Sequence, residues 1–141
     1  MICFLLHHGV CHTHLKSGFF VGQMRLIFHP VWGVKSEPPL YLAYIQCFDI
    51  MPQLSMPRGQ RLAPDPVTGM YVLKKATRSN GTPMGAIIPL FHCHTPVHLI
   101  PQFGDTANPY LTPQTTMERS KTFFLNHYFD PEDFFHFHNS F

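Results

Sequence analysis

Charged side chains are scarce in this sequence. Lys, Arg, Asp and Glu make up 13% of its 141 residues, and the formal net charge is only +2. A strong overall basic excess, which would by itself indicate a nucleic-acid-binding protein, is therefore absent. Disorder throughout is also excluded, because disordered chains combine low hydrophobicity with high net charge, whereas 45% of these residues are apolar. The composition predicts one folded domain.

Closely spaced cysteine pairs and long apolar runs are also missing. The cysteines at positions 3, 11, 47 and 93 form no Cys-x-x-Cys motif, so we expect reduced thiols in an intracellular protein, the nucleus included. No segment approaches the roughly 20 apolar residues that span a bilayer. The first residues lack the basic start and long apolar core of a secretory signal. The sequence predicts no membrane partner.

Motifs for catalysis are lacking as well. No Gly-rich phosphate loop of familiar spacing occurs. A cysteine nucleophile needs a base and an orienting group close to it in space, and buried, inert cysteine is the commoner arrangement. We therefore predict that the chain is not an enzyme, has no catalytic residues and holds no cofactor.

Histidine is abundant, with eleven copies, and this raises the question of a metal site. Residues 11–14 contain one cysteine and two histidines, and His92, Cys93 and His94 are consecutive. In an extended strand, however, His92 and His94 lie on one face and Cys93 on the other. The spacing matches no familiar zinc module. We predict no metal site, and a His/Cys zinc-binding protein remains an alternative.

Proline is also abundant, with fourteen copies, and it divides the chain into short segments. Several of these segments alternate apolar and polar residues or are rich in aromatic and β-branched residues, as β-strands are. Asn80-Gly81 is typical of a tight hairpin turn, whereas residues 51–69 contain four prolines and predict an irregular loop. Strands are predicted at about 23–29, 41–50, 70–78, 84–90 and 96–104.

Helix signals appear after Gly104. Thr115 with Glu118 three residues later has the form of a capping box, which predicts a helix from Thr116 to near Asn126. Asp130-Pro131-Glu132 predicts the start of a second helix.

The predicted fold class is α+β. A small antiparallel, partly open β-barrel of about five strands is followed by two short C-terminal helices. We expect one domain over 22–141, with its β part at 22–103 and its helical tail at 104–141. Residues 1–21 are expected to form a poorly ordered leader or an added strand.

Six short, mostly apolar stretches stand between residues 38 and 137: PPLYLAYIQCF, DPVTGMYVLKKATR, AIIPL, HLIPQFG, FFLNHYF and EDFFHF. In this order and at these separations they resemble the C-terminal module of transposon-encoded proteins of mushroom-type fungi, the Plavaka-like and related Kyakuja-Dileera-Zisupton-type open reading frames. The resemblance covers residues 22–141.

The resemblance implies a non-catalytic accessory module. The catalytic acids of the family lie upstream of this module, and nothing in this chain matches them. The implied product is a truncated element, a gene remnant or a domain expressed alone. One departure is Cys47, where the family tends to have tryptophan. If this side chain points inward, the change would leave a void in the core.

Cations cluster around the predicted hairpin. Between positions 58 and 78 the sequence has five basic residues and a single acid. A basic face attracts phosphate backbones through counterion release, and exposed tyrosines could stack on bases. We predict DNA, RNA or a chromatin protein as partner, with an alternative of a structural or protein-interaction module that has no ligand of its own. The candidate nucleic-acid-binding residues are Arg58, Arg61, Lys74, Lys75 and Arg78, and the candidate stacking residues are Tyr41, Tyr44 and Tyr71.

Overall fold

The computed structural model describes residues 3–7, 19–31, 40–54, 56–58, 62–104, 106 and 108–126. The chain divides into two compact units. Unit 1 comprises Met1–Asp49 and Lys75–Pro96, and unit 2 comprises Ile50–Lys74 and Val97–Phe141.

Unit 1 is built on four antiparallel strands, which lie in the order β1, β2, β3, β5. The strand β2 pairs with β1 along one edge and with β3 along the other, and β3 pairs in turn with β5. The pairing of β2 with β3 is irregular between Met24 and Leu26. The strands are β1 (Cys3–His7), β2 (Phe19–Phe28), β3 (Leu42–Ile50) and β5 (Gly85–Pro89), with β4 described below.

One face of this sheet forms the core of unit 1. Ala43, Ile45 and Cys47 of β3 point into this core, and the alternation changes phase at Phe48, where two consecutive residues are buried. The buried residues are Leu6, Phe20, Ala43, Ile45, Cys47, Ala76, Ala86 and Ile88.

Cys47 lies at the centre of this core with no exposed surface. It is disulfide-bonded, whereas Cys3 and Cys93 are free thiols. The expectation that all four cysteines are reduced is therefore wrong. Sequence spacing could not reveal this bond, because a disulfide depends on which segments the fold brings together.

Cys47 also marks a junction of three backbone segments. Its N–H donates to the carbonyl of Met84 at 3.0 Å, and its carbonyl accepts from the N–H of Ala76 at 2.8 Å. The Met84 N–H donates in turn to the Ala76 carbonyl at 2.8 Å. We call this ring of three hydrogen bonds the Cys47 junction. It fixes both ends of the segment 76–84, which carries the Asn-Gly turn.

The predicted hairpin around this turn is shorter than expected. Beyond the Ala76–Met84 bond, the two arms meet at an isolated bridge between Thr77 and Pro83 and at the hydrogen bond between Arg78 and Thr82. The flanking strands then pair elsewhere, β4 (Tyr71–Lys75) with β7 and β5 with β3. The Asn80-Gly81 pair predicted the turn correctly. It could not predict which strands pair with β4 and β5, because strand pairing depends on long-range packing.

Unit 2 contains the antiparallel arrangement β6, β7, β4. The central strand β7 (Thr122–Asn126) pairs with β4 on one side and with the second half of β6 (Cys93–Pro101) on the other. Leu73 of β4 lies directly opposite Phe123 of β7, and both side chains are buried. This pair lies in the apolar interior of unit 2.

The predicted helix from Thr116 to Asn126 is wrong beyond its first turn. The helix α1 spans only Thr116–Arg119, and residues 122–126 form β7. The Thr115 side chain makes no capping bond to α1 and contacts Thr112 instead, so the capping box does not form. Burial alternates along β7, which is the strand period that the helix prediction overlooked. The second predicted helix lies outside the described residues.

The antiparallel β architecture is confirmed, and the described residues form seven strands where about five were predicted. Of the first twenty-one residues, those that are described belong to β1 and β2, which fits an added strand. In the part of the chain described here, no helix is long and apolar enough to cross a membrane.

The alternation along β7 predicts different costs for two neighbouring phenylalanines. Phe123→Ala should lower the free energy of unfolding by about 3–5 kcal/mol, because it empties a fully buried position. Phe124→Ala, at a half-buried position on the opposite face, should cost clearly less. Urea denaturation of the two variants measures this difference, and equal losses would contradict the assignment of a strand.

Candidate nucleic-acid contact residues

Arg78 lies at an exposed, ordered turn. Its N–H donates to the carbonyl of Thr82 at 2.8 Å, and its carbonyl accepts from the N–H of Gly81 at 2.8 Å. The Asn80 side chain accepts from the Thr82 N–H at 3.0 Å and from the Thr82 hydroxyl at 2.7 Å. Residues 77–83 are all exposed, and we call them the hairpin tip. The tip presents the Arg78 guanidinium on a well-defined backbone.

Lys74 and Lys75 do not share a face. They are consecutive in β4, so their side chains project from opposite sides of the strand. Lys74 is exposed and lies opposite Thr122 of β7. Lys75 is half-buried, and its positive charge favours the thiolate form of Cys3. The structure therefore separates the two lysines that the sequence places side by side.

Only one of the two arginines in the loop at residues 51–69 belongs to the described residues. Arg58 is exposed, whereas Arg61 lies outside the described residues. Arg58 and Lys74 belong to unit 2, and Lys75 and Arg78 belong to unit 1. The candidate cations are thus distributed over both compact units.

Part of the loop predicted to be irregular is an ordered turn. The Asp65 carboxylate accepts from the Val67 N–H at 3.0 Å, from the Thr68 N–H at 2.8 Å and from the Thr68 hydroxyl at 3.1 Å. The Asp65 N–H donates to the Met70 carbonyl at 2.8 Å, just before β4. The backbone N–H of Thr68 is the main reason that the pKa of Asp65 is lowered. The single acid of the basic stretch therefore shapes the loop.

The three tyrosines occupy different environments. Tyr44 is 38% exposed on the outer face of β3, and its ring lies over Gly85 of β5. A Cβ at Gly85 would lie 2.5 Å from the Tyr44 hydroxyl and 2.8 Å from a backbone oxygen, so only glycine fits there. Tyr41 makes an edge-to-face contact with His29, with ring centroids 5.5 Å apart. Tyr71 is half-buried opposite Leu125.

The free thiols are poor nucleophiles. Burial raises the pKa of Cys3 to about 11 despite the opposing effect of nearby positive charges. Burial likewise raises the pKa of Cys93, which packs against the core of unit 1. Both thiols are therefore protonated at neutral pH.

The histidine clusters remain without an assigned metal. Cys93 begins β6, directly after a short 3-10 helix that ends at His92, and His94 is exposed. Among the described residues, no group of three metal-ligating side chains comes together. Residues 11–14 lie outside the described part of the chain.

The sequence did not reveal an apolar row on the outer face of unit 1. Leu26, Tyr44 and Ile87 lie opposite one another on β2, β3 and β5, and they are 56%, 38% and 61% exposed. Alternation along each segment predicts which residues share a face of one strand. The register between strands, which creates the row, has no local signal.

Comparison of the chain with protein-family models, with curated proteins and with solved structures gives no match.

The tip geometry gives a prediction for Gly81. This residue has a φ of +80°, and a Cβ added there would meet no atom within 4 Å. Gly81→Ala should therefore lower stability by about 1 kcal/mol through backbone strain alone. Gly104→Ala is the matched control, since a Cβ there also meets no atom within 4 Å and its φ is not positive. The unfolding temperature should fall for Gly81→Ala only. An equal fall in both variants would contradict the left-handed backbone conformation at Gly81.

The Asp65 turn gives a prediction for pH dependence. Because the folded-state pKa of Asp65 is lowered, the ionised carboxylate stabilises the fold above the unfolded pKa of about 4. This contribution is lost as the pH falls through the folded-state pKa. Asp65→Asn should thus destabilise the protein most at neutral pH, and its difference from the wild type should shrink under acid. Unfolding temperatures measured across pH test this, and a constant difference would contradict it.

Proposed function

We propose that this chain is a non-catalytic accessory module of a transposon-derived protein, and that it contacts DNA or RNA through exposed cations. A location inside the cell, the nucleus included, follows from the resemblance alone, because the disulfide at Cys47 removes the argument from reduced thiols. The proposal rests on the resemblance stated above and on the placement of Arg78.

The observation that carries the nucleic-acid contact is the hairpin tip. A guanidinium at an exposed turn can approach a phosphate group closely, and residues 77–83 are all exposed in the described part of the chain. The tip is held by backbone and Asn80 hydrogen bonds, so little backbone entropy is lost when Arg78 binds. Lys74 and Arg58 are further exposed cations.

The state of the free thiols supports a role without catalysis. Cys3 and Cys93 stay protonated at neutral pH because burial raises their pKa values. A thiol used as a nucleophile needs the opposite shift.

The placement of Lys75 favours a second candidate function. This lysine is half-buried, so it is less accessible to a nucleic acid than the exposed cations. The second candidate is therefore a structural or protein-interaction module without a ligand, in which Lys74 and Arg78 provide only solubility. A chromatin protein is the alternative partner for the same exposed cations.

A salt titration of binding tests the proposed function. The purified chain should retain labelled DNA or RNA at about 50 mM salt, with an affinity that falls steeply as salt rises. The double variant Lys74→Glu with Arg78→Glu should reduce the slope of log affinity against log salt by about one for each phosphate contact removed.

The double variant Arg25→Glu with Arg119→Glu serves as the charge-matched control, because both arginines are exposed and neither belongs to the candidate residues. It should leave the slope unchanged. Absence of binding by the wild-type chain at low salt would remove the nucleic-acid function and leave the second candidate.

A further inference from the structure

Among the described residues, the strand β5 has an unpaired edge. It is the last strand of its sheet and pairs with β3 on one side only. Its sequence, Gly-Ala-Ile-Ile-Pro, has no charged residue. Protein sheets commonly protect such an edge with lysine, proline or a covering element, because an open edge binds further strands. Here Pro89 is the one such device within β5.

Two hydrogen bonds identify the backbone groups on that edge. The Cys47 N–H donates to Met84, and the Leu90 N–H donates to Tyr41 at 2.9 Å. In an antiparallel ladder the bonded pairs recur at every second residue, so Ala86 and Ile88 also direct their backbone groups toward β3. The N–H and carbonyl groups of Gly85 and Ile87 therefore point outward. No backbone partner for them exists in the described part of the chain.

The apolar row reaches this edge. Leu26, Tyr44 and Ile87 cross β2, β3 and β5 in register, and the last member, Ile87, is 61% exposed beside the unpaired backbone. An exposed apolar row that ends at an open edge is continued, on the same face, by any strand added to that edge.

We propose that β5 pairs in antiparallel fashion with β5 of a second copy of this chain, about a two-fold axis at Ile87. In this register the two Ile87 residues exchange two hydrogen bonds. Each Gly85 N–H also donates to the Pro89 carbonyl of the other copy. The ladder then has four hydrogen bonds, and the only missing donor is the N–H that proline lacks.

Charge and packing both favour a second copy as the partner. Two identical strands bring no like charges together, because Gly85–Pro89 is uncharged. The two Ile87 side chains lie opposite each other on one face, so Tyr44 and Leu26 of both copies extend a single six-membered apolar row. Because the pairing is isologous, it uses the β5 edge of both copies and stops at a dimer.

The interface has only five residues on each side, far fewer than the 20–30 of a standard interface. The dimer should therefore dissociate on dilution. Sedimentation equilibrium of the full chain, over concentrations on either side of about 100 µM, should show a reversible monomer–dimer equilibrium. A monomeric mass at every concentration up to about 1 mM would overturn the proposal.

Ile87→Pro tests the edge directly. It removes an N–H that β3 does not use, and proline is tolerated on edge strands. The dissociation constant should rise roughly tenfold or more, since two of the four hydrogen bonds are lost. Leu26→Lys is the control, because Leu26 belongs to the same row but lies two strands from the edge. It should change dimerisation little, and the reverse ranking would indicate face-to-face docking and overturn the proposal.

A second pair of variants does not depend on proline being accommodated. Ile87→Lys and Ile87→Glu should each be monomeric, because like charges would face each other across the two-fold axis. Their equimolar mixture should recover the dimer, since opposite charges would then be paired. Far-ultraviolet circular dichroism checks that each variant is folded. A mixture that stays monomeric although both variants are folded would refute the pairing.

Discussion

The Cys47 junction is the constraint on which unit 1 depends. In a regular antiparallel ladder, the N–H and the carbonyl of one residue bond to the same partner residue. At Cys47 they bond to Met84 and to Ala76, which are bonded to each other. The backbone of β3 can therefore change its hydrogen-bonding partner from Met84 to Ala76 while every buried N–H and carbonyl group at the junction keeps a hydrogen bond. A buried group without one would cost free energy of desolvation. Cys47 and Ala76 themselves belong to the core of unit 1, and Met84 packs against it.

The local backbone structure determines where the side chains of the candidate contact residues lie. Strand geometry puts Lys74 and Lys75 on opposite sides of β4, and the turn chemistry of Asn80 directs Arg78 to solvent. A cluster that is compact in sequence is thus divided in space. Charge counts along a chain describe a binding face only where the periodicity of the local structure is known.

Local signals predicted the local parts of the fold. The strand predicted at 41–50 matches β3, and the positive φ of Gly81 was implied by the Asn-Gly pair. Features that depend on distant segments were not predictable: the partners of β4, the Cys47 disulfide and the apolar row. The strand β7 was missed for a different reason, because a capping pattern at Thr115 outweighed the alternation of five residues. For the site, exposure of Arg78 followed from the turn, whereas the half-burial of Lys75 required the fold.

The hairpin tip is anchored at Ala76 and Met84, and none of its own residues 77–83 contributes a buried side chain. Its sequence is consequently decoupled from the core. Substitutions in the tip that preserve the left-handed glycine can accumulate without disturbing the packing below. The same independence makes this segment a suitable place to graft a foreign epitope or a spectroscopic label.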